Sequence, residues 1–498
     1  MKHKIVLIHP YLSLSNINFL SEPLGLAYIS AVLKKEDYDV KVLDCFAENF
    51  SGTIGENDGA KRRGLSDEAI IQKIKEYQPG FIGIQSNFTE LYIDSLNIAK
   101  LIKKTFPEKK IILGGSHATF DHAEIIKEES IDYIVRGEGE VTVVELINSL
   151  TGRTKTALSD IDGITFRKVG KVQVNKNREF IKDLDTLPLP DYKSLRMDVY
   201  LQNAHKVFGY SMSSPVAAMV TSRGCPYDCI FCSTKNMWER RWRSHSPERV
   251  VEQIKLLVND YQVKEIAIND DSFLVNLKRV EKICDLIIQE NIKVNLIFPP
   301  GLTVWTLSNN IIDKLIKAGL YKIYLPIETG CKKTLEFIKK PVDLDKTRDT
   351  INYLNAQGVF THAYFIIGFP FETKEDIQET LDYAYSSNVD YIDFYIAQPV
   401  KGSEMYDIYK QEGILDKVEN YSNVYGSKYN TVNFTAEEMN SIRDNAQRNY
   451  MKTVLKRACN PLFFLKYILP KILSLRNLLY LSKNMFGIVL PVILPKKL

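Results

Sequence analysis

Cys225, Cys229 and Cys232 stand within eight residues of one another in the stretch TSRGCPYDCIFCST, Thr221–Thr234. Cysteine ionised to thiolate is a ligand for soft metals, so the spacing Cys-x3-Cys-x2-Cys asks which metal. A closed zinc site needs a fourth Cys or His at short spacing. The next ones downstream, His245 and Cys284, fall near or within helical patterns. Inert buried thiols are the other ordinary fate of cysteine, but chance does not gather three in so short a stretch. A cubane [4Fe-4S] cluster held by three thiolates keeps one iron open to a small molecule. The count of three therefore reads as a substrate-activating centre. Cys45, Cys284, Cys331 and Cys459 are isolated and read as structural thiols. An odd total of seven, dominated by one group, argues against a secreted disulfide framework and fits a reducing compartment.

The elements that would carry these cysteines follow from the apolar runs. With 498 residues the chain expects two or three domains, and a 45% hydrophobic, 25% charged composition makes them globular. Six strand candidates, Ala217–Gly224, Glu265–Phe273, Val294–Gly301, Lys322–Gly330, Phe360–Pro370 and Val389–Pro399, alternate with helical patterns. That spacing suggests a partial (β/α)6 barrel, in which the carboxyl ends of the strands do the chemistry. The cysteines follow the first strand. Asp270 and Asp271, Pro299, Glu328 and Gly368 end others and would line the same mouth.

Upstream, Lys4–Pro10, Asp39–Phe46, Phe81–Ser86, Lys110–His117 and Ile131–Glu140 are Ile- and Val-rich runs separated by helical patterns. They predict a doubly wound parallel sheet covered on both faces, with ligands beyond its carboxyl edge. Gly114–Gly115 lies at that edge and permits either a close backbone approach to a ligand or a tight turn. Ile161–Tyr192 reads as a hairpin turning at Gly170, then a linker stiffened by Pro188 and Pro190. The expected organisation of this α/β protein is a first domain over 1–150, hairpin and linker over 151–205, barrel over 206–403 and a mainly helical region over 404–498.

Charge is asymmetric. The net charge is +4, yet no acidic residue follows Asp444. Asn460–Leu498 is apolar but broken by Lys466, Lys471, Arg476 and Lys483, so no run reaches the roughly 18 apolar residues a spanning helix needs. Such a segment can lie in the headgroup plane of anionic lipid, or cover the barrel as a helical pair, or form a dimer contact. The start MKHKIVLIHPYL has too short an apolar run for a signal peptide and reads as a first strand. The expected location is cytoplasmic, with peripheral contact at the inner face of the cell membrane.

The stretch RGCPYDCIFC resembles the signature of the radical S-adenosylmethionine (SAM) superfamily, with the aromatic Phe231 just before the last cysteine. EPLGLAYISAVLKKEDYDVKVLD, ILGGSHAT, DYIVRGEGE, LDTLPLPDY, INDDSF, PIETG and IIGFPFET follow in an order that resembles the branch with an N-terminal cobalamin-binding domain, over roughly Ile5 to Ser403. The resemblance implies that Cys225, Cys229 and Cys232 ligate the cluster and that SAM chelates its open iron. The reduced cluster then cleaves SAM to methionine and a 5′-deoxyadenosyl radical. It implies SAM contacts at Phe231, at Glu328, at Gly368 beneath the adenine, and at Asp270 and Asp271, where the superfamily often has a Gly-Gly-Glu-like element whose glycines are absent here. For Glu328 a rim ion pair is the alternative. Ser86, Thr89, Gly114, Gly115, Gly137 and Glu138 match positions of the cobalamin loops. One departure stands out. Many such domains supply a cobalt-binding histidine from Asp-x-His-x-x-Gly, whereas the second strand here ends LDCFAEN. No lower histidine ligand is expected from that loop, and His117, by position, caps the following helix.

The activity implied is methylation of an unactivated carbon of a small molecule or lipid, with an electron donor such as flavodoxin or ferredoxin. A non-methylating cyclase or rearrangement enzyme and a non-catalytic cobalamin or iron–sulfur module are the alternatives. The aromatic–basic stretch with Trp238, Trp242, Arg240, Arg241 and Arg243 could contact nucleic acid. It reads instead as cover for the cluster loop, facing an anionic substrate or the cobalamin tail, and no nucleic-acid partner is expected.

Overall fold

A computed structural model describes residues 3–13, 21–57, 60–203, 211–415, 426–463, 465 and 468–472. The chain divides into two compact units, Met1–Asn203 and Ala204–Leu498.

The first unit contains β1 (Lys4–His9), β2 (Asp39–Asp44), a small hairpin of β3 (Thr53–Asn57) and β4 (Ala60–Arg63), β5 (Phe81–Gln85), β6 (Lys110–Gly114), β7 (Tyr133–Val135), β8 (Ile164–Lys168) and β9 (Lys171–Val174). Its main sheet has the order β2-β1-β5-β6-β7-β8-β9. The first five strands are parallel and the last two antiparallel. The apolar runs are continuous because both faces are covered. Val6, Ile8, Ile82, Ile84 and Leu113 pack into one core with the helices Asp67–Tyr77 and Tyr92–Thr105. Ile5, Leu7, Ile112 and Val135 pack into the other with the helices Leu24–Lys35 and Gly139–Leu150.

The hairpin corrects the expected boundary at residue 150. Ile134 of β7 pairs with Thr165 of β8, so the hairpin extends the first sheet rather than leading out of it. Ile164, Phe166, Leu184 and Leu187 are buried in the same core as Leu146 and Ile147. The supposed linker is also tied down: Asp191 accepts a hydrogen bond from Ser30 Oγ at 2.7 Å and pairs with Lys34 at 2.7 Å. Its prolines stiffen a strap whose leucines need apolar cover, and the first unit therefore runs on through the helix Met197–Asn203.

The second unit contains β10 (Val216–Met219), β11 (Ser222–Arg223), β12 (Arg243–Ser244), β13 (Glu265–Ile268), β14 (Asn295–Ile297), β15 (Lys322–Glu328), β16 (Phe360–Ile367) and β17 (Tyr391–Ile396). Strands β10-β13-β14 and β15-β16-β17 form two parallel sheets. A parallel bridge between Leu296 and Leu320 and a bond from Leu302 N to the Tyr324 carbonyl at 2.9 Å join them. All six barrel strands expected from the sequence are present in order. The intervening helices are capped locally: Ser246 precedes Pro247 in the first turn of Pro247–Tyr261, and Thr373 with Asp376 forms a capping box on Lys374–Ser386.

The helix Ala436–Ala458 covers the last strand. Gln447 donates to the Ile392 carbonyl at 2.8 Å and accepts from Phe394 N at 3.4 Å, which satisfies an edge that would otherwise be open. Most of the basic apolar tail, 473–498, lies outside the described residues. Lys471 is described and buried. Its ammonium donates to Asn355 at 2.7 Å and to Asp390 at 2.6 Å, so this cation serves the barrel. Among the described residues no helix is long and apolar enough to cross a membrane.

Candidate functional site

The cysteine loop leaves β10 at the carboxyl edge of the barrel and is fixed at both ends by distant parts of the second unit. At its start, Asp270 accepts from Thr221 N, Thr221 Oγ1 and Ser222 Oγ, each at 2.6 Å. Asp271 accepts from Gly224 N at 3.0 Å. Gly224 has φ +89°, and a Cβ there would lie 2.1 Å from the Arg241 carbonyl oxygen and 3.1 Å from Trp238 Cβ. The loop can turn there only without a side chain. At its far end, buried Ile230 donates its N–H to the Ile338 carbonyl at 3.2 Å and accepts at its own carbonyl from Met405 N at 2.9 Å. Asp228, Lys235, Glu404 and Lys339 then form an ion-pair chain along the outside, with contacts of 3.0, 2.7 and 2.9 Å.

The three thiols are half-buried and unbridged. Burial pushes Cys225 up to about 12, with Cys232 and Cys229 adding to the rise. Burial likewise pushes Cys229 up to about 11, against the pull of the Lys340 ammonium. Thiols of this kind lose their protons to a metal rather than to water. Among the described residues no three Cys, His, Asp or Glu side chains converge on a single-ion position. The fit to a polynuclear iron–sulfur group rests instead on three half-buried thiols carried by one loop that is anchored at both ends.

Around the loop, Phe231 faces Phe369 with ring centroids 6.1 Å apart, and Tyr227 meets Trp305 edge-on at 4.9 Å. Glu328 ends β15 at φ +70°, beyond an irregularity in the ladder. This left-handed backbone is costly for a residue with a side chain. Glu328 Oε1 accepts from Lys340 Nζ at 2.6 Å, both side chains being buried. The Lys340 ammonium also lies 5.8 Å from the Phe231 ring centroid and 5.6 Å from that of Trp305. Gly368, at φ +80°, is followed by a tight loop in which Glu372 Oε2 accepts from Gly368 N at 2.6 Å and Phe369 N at 3.1 Å. A Cβ on Gly368 would meet Met439 Cε at 2.5 Å, a flexible side-chain end that can give, so it is the left-handed backbone that favours glycine.

The sequence-derived residues therefore divide. Phe231, Glu328 and Gly368 sit around the cysteine loop or at its edges. Asp270 accepts three hydrogen bonds from the start of the loop, and Asp271 holds Gly224. These acids are buttresses. Sequence reasoning missed Lys340 and Glu372. Lys340 lies in KKP, where nothing marks one lysine as buried. Glu372 had a signal, an acid shortly after a strand-ending glycine in GFPFE.

In the first unit the expected cobalamin positions gather at the carboxyl ends of β5, β6 and β7. Ser86 is buried, and its Oγ has no hydrogen-bond partner among the described residues. Gly115 has φ +116°, and a Cβ there would meet Ser86 O at 2.5 Å and Asn87 Oδ1 at 2.4 Å. Gly137, at φ +68°, faces open space and donates its N–H to Thr119 Oγ1 at 3.0 Å. Gly114 ends β6 in ordinary contact with Val135. Glu138 is buried and accepts from Ile181 N at 2.7 Å, which gives it a place in the strap. An orphaned hydroxyl and a glycine beside open space at one sheet edge fit a large polar ligand such as cobalamin. Past β2, Asp44 accepts from Ala47 N at 2.9 Å and from the Tyr200 hydroxyl, and Cys45 and Phe46 are buried. His117 lies within the short helix Ser116–Phe120, its Nδ1 3.2 Å from Thr89 Oγ1 and its ring 4.8 Å from that of Tyr92.

Two family models match the chain: the radical SAM superfamily over residues 219–384 and the B12 binding domain over 13–147. An uncharacterized methyltransferase of Pyrococcus horikoshii is 34% identical over 387 residues, 77% of this chain and 78% of the relative. The cytidylyl-2-hydroxyethylphosphonate methyltransferase of Streptomyces wedmorensis is 29% identical over 84% of this chain and 83% of its own. The anaerobic magnesium-protoporphyrin IX monomethyl ester cyclase of Rubrivivax gelatinosus is 27% identical over 94% and 79%. The fold is similar to that of the cobalamin-dependent SAM radical enzyme OxsB, solved with aqua-cobalamin and SAM, at a TM-score of 0.68 and 17% identity over 94% of this chain and 70% of that one. The chain belongs to the radical SAM superfamily, in the branch that carries an N-terminal B12-binding domain.

Proposed function

We propose that this enzyme transfers a methyl group to an unactivated carbon of a small-molecule or lipid substrate. The observation that carries the reading is the pairing, in one chain, of a three-thiol loop with a B12-type sheet that brings no histidine to the end of β2. When bound, the cluster with SAM supplies a radical able to take hydrogen from carbon, and cobalamin supplies the methyl group. The chain's own part is positional. Cys225, Cys229 and Cys232 would hold the cluster. Phe231 and Phe369 would wall the SAM site and keep water out. Glu328 would meet the ribose or methionine moiety with its charge tempered by Lys340, and the turn at Gly368 would lie beneath the adenine. Ser86, Thr89, Gly114, Gly115 and Gly137 would bed the cobalamin.

The test is anaerobic incubation with SAM and a reductant. Deoxyadenosine together with S-adenosylhomocysteine is expected. Deoxyadenosine alone would favour cyclisation or rearrangement, and neither product would leave a binding module. An acidic one-electron carrier such as flavodoxin or ferredoxin would serve as donor in the cell. The tail would bring the enzyme to anionic lipid through Lys466, Arg476 and Lys483. Flotation with anionic liposomes checks this: the full chain should float, and a chain ending at Ile472, which keeps the Lys471 contacts with the barrel, should not while still cleaving SAM. Equal behaviour of the two removes the membrane reading.

A further inference from the structure

Inside the barrel, below its mouth, lies a polar group that the proposed reaction leaves unused. On β16 and β17 alternate residues face the barrel axis. Phe365 and Phe394 look outward, Phe365 lying 6.3 Å from the Tyr383 ring of the helix Lys374–Ser386. His362, Tyr364 and Ile366, with Tyr391, Asp393 and Tyr395 beside them, therefore look inward. The Tyr364 hydroxyl confirms the direction by donating to the carbonyl of Pro299, beyond β14, at 2.9 Å. Solvent reaches this inner face, since Tyr364, Tyr391, Asp393 and Tyr395 are only partly buried.

His362 is 8% exposed and boxed by three tyrosines, with centroids at 4.9 Å for Tyr324, 5.1 Å for Tyr364 and 4.7 Å for Tyr391. Its Nε2 lies 2.7 Å from Asp393 Oδ2, while its buried Nδ1 has no partner among the described residues. Burial holds the imidazole below its usual range, with Lys322 acting in the same sense and Asp393 against it. A neutral ring that donates from Nε2 presents a lone pair at Nδ1. The other inward acids are engaged: Glu328 with Lys340, and Glu265 with Ser213 N and the Tyr321 hydroxyl. Asp393 has His362 as its one side-chain hydrogen-bond partner among the described residues, and its side chain is 29% exposed.

We infer that Asp393, oriented by a His362 that Tyr324, Tyr364 and Tyr391 enclose, is a substrate subsite for a hydrogen-bond donor, a protonated amine or a hydroxyl. The Asp393 oxygen that His362 does not engage calls for N–H or O–H. Asp393 lies three residues before the end of β17, about 10 Å down the strand. Resting on the proposed reaction at the mouth, this makes the substrate an extended molecule whose donor group reaches into the barrel below the reacting carbon.

The experiment uses the full cluster-loaded chain and ligand-observed NMR with three probes of one size: n-butylammonium, n-butanol and butyrate. The ammonium or the alcohol binds and butyrate does not. Binding of the ammonium alone assigns a protonated amine, and binding of the alcohol as well assigns a hydroxyl. Asp393→Asn, which keeps the shape, weakens the bound probe at least tenfold while the melting curve and cluster absorbance stay as in the wild type. Butyrate bound as well as the others, no probe bound, or Asp393→Asn equal to the wild type overturns the subsite. SAM cleavage is followed on the same samples. Protein that binds the ammonium but never cleaves SAM strikes the radical reading and leaves the subsite standing.

Discussion

Glu372 offers a perturbation whose size and sign follow from its surroundings. Its carboxylate is buried in the loop after β16, accepting from Gly368 N, Phe369 N and Thr334 Oγ1 at 2.6, 3.1 and 3.2 Å. Burial raises its pKa from an ordinary 4.5 to about 7, against the pull of those donors. The folded chain thus holds this proton more tightly than the unfolded chain does. The contribution to stability is fully present below about pH 4.5 and is lost as pH rises to about 7. The loss amounts to about 3 kcal/mol. Glu372→Gln removes the ionisation but keeps an oxygen for the two backbone donors, and its amide can donate to Thr334 Oγ1. The variant should therefore gain on the wild type between pH 5 and 7 and hold a constant advantage above that, with SAM cleavage retained. Glu372→Ala should lose stability at every pH, because two buried N–H groups are left without an acceptor at about 1–3 kcal/mol each. Thermal melting of the apoprotein at pH 5, 6, 7 and 8 reads the difference between variant and wild type, so the opposite contributions of exposed acids cancel. A difference that stays flat, or that falls with pH, would refute the argument.

Cys229→Ala should abolish the broad visible absorbance of the reconstituted cluster together with all deoxyadenosine formation; full cleavage in that variant would sink the ligand assignment. Gly224→Ala must place a Cβ 2.1 Å from the Arg241 carbonyl in a left-handed conformation that costs about 1–2 kcal/mol. It should lower the iron content of anaerobically reconstituted protein severalfold with little change in far-UV circular dichroism, and normal iron loading would show that the turn is not needed. Cobalt(II) electron paramagnetic resonance of the cobalamin-bound protein should lack nitrogen superhyperfine splitting, since LDCFAEN has no histidine and His117 is enclosed by Thr89 and Tyr92. Clear splitting from one protein nitrogen would contradict this.

What the sequence disclosed was what is local. Each barrel strand is a run of apolar residues ended by Gly, Pro or Asp, and each was legible as such. The cysteine spacing was legible for the same reason, since a loop that ligates a cluster writes its ligands close together. The hairpin β8–β9 was recognisable as a hairpin, but that its first strand would pair with β7 depends on a register no local pattern carries. The site residues behave alike. Asp270 and Asp271 stood out as acids at a strand end, and only the return of the chain past Thr221 and Gly224 decides that they brace a loop. Lys340 lies twelve residues from Glu328, yet nothing short of the bent end of β15 brings their charges to 2.6 Å.

The bracing explains why a loop with so little regular structure can hold ligands in place. Its first half hangs from two aspartates at the end of β13, and its second half is clipped by backbone bonds from Ile230 to Ile338 and to Met405. Each support comes from a different part of the barrel, so no single neighbouring element can shift and carry the loop with it. Secondary-structure hydrogen bonds are thereby replaced by tertiary ones of equal number of roles: the donors at Thr221, Ser222, Gly224 and Ile230 all have acceptors before any metal arrives. The three thiols on this stretch are unbridged, and those of Cys225 and Cys229 remain protonated. A cluster that binds there has to deprotonate buried thiols, but it does not have to fold the loop, and the entropy of ordering it is already met by the barrel. The same logic accounts for aspartates where the superfamily often has glycines. Asp270 and Asp271 brace the loop from the end of β13, while Glu328 with Lys340 and the Gly368–Phe369 turn lie around it from other strands.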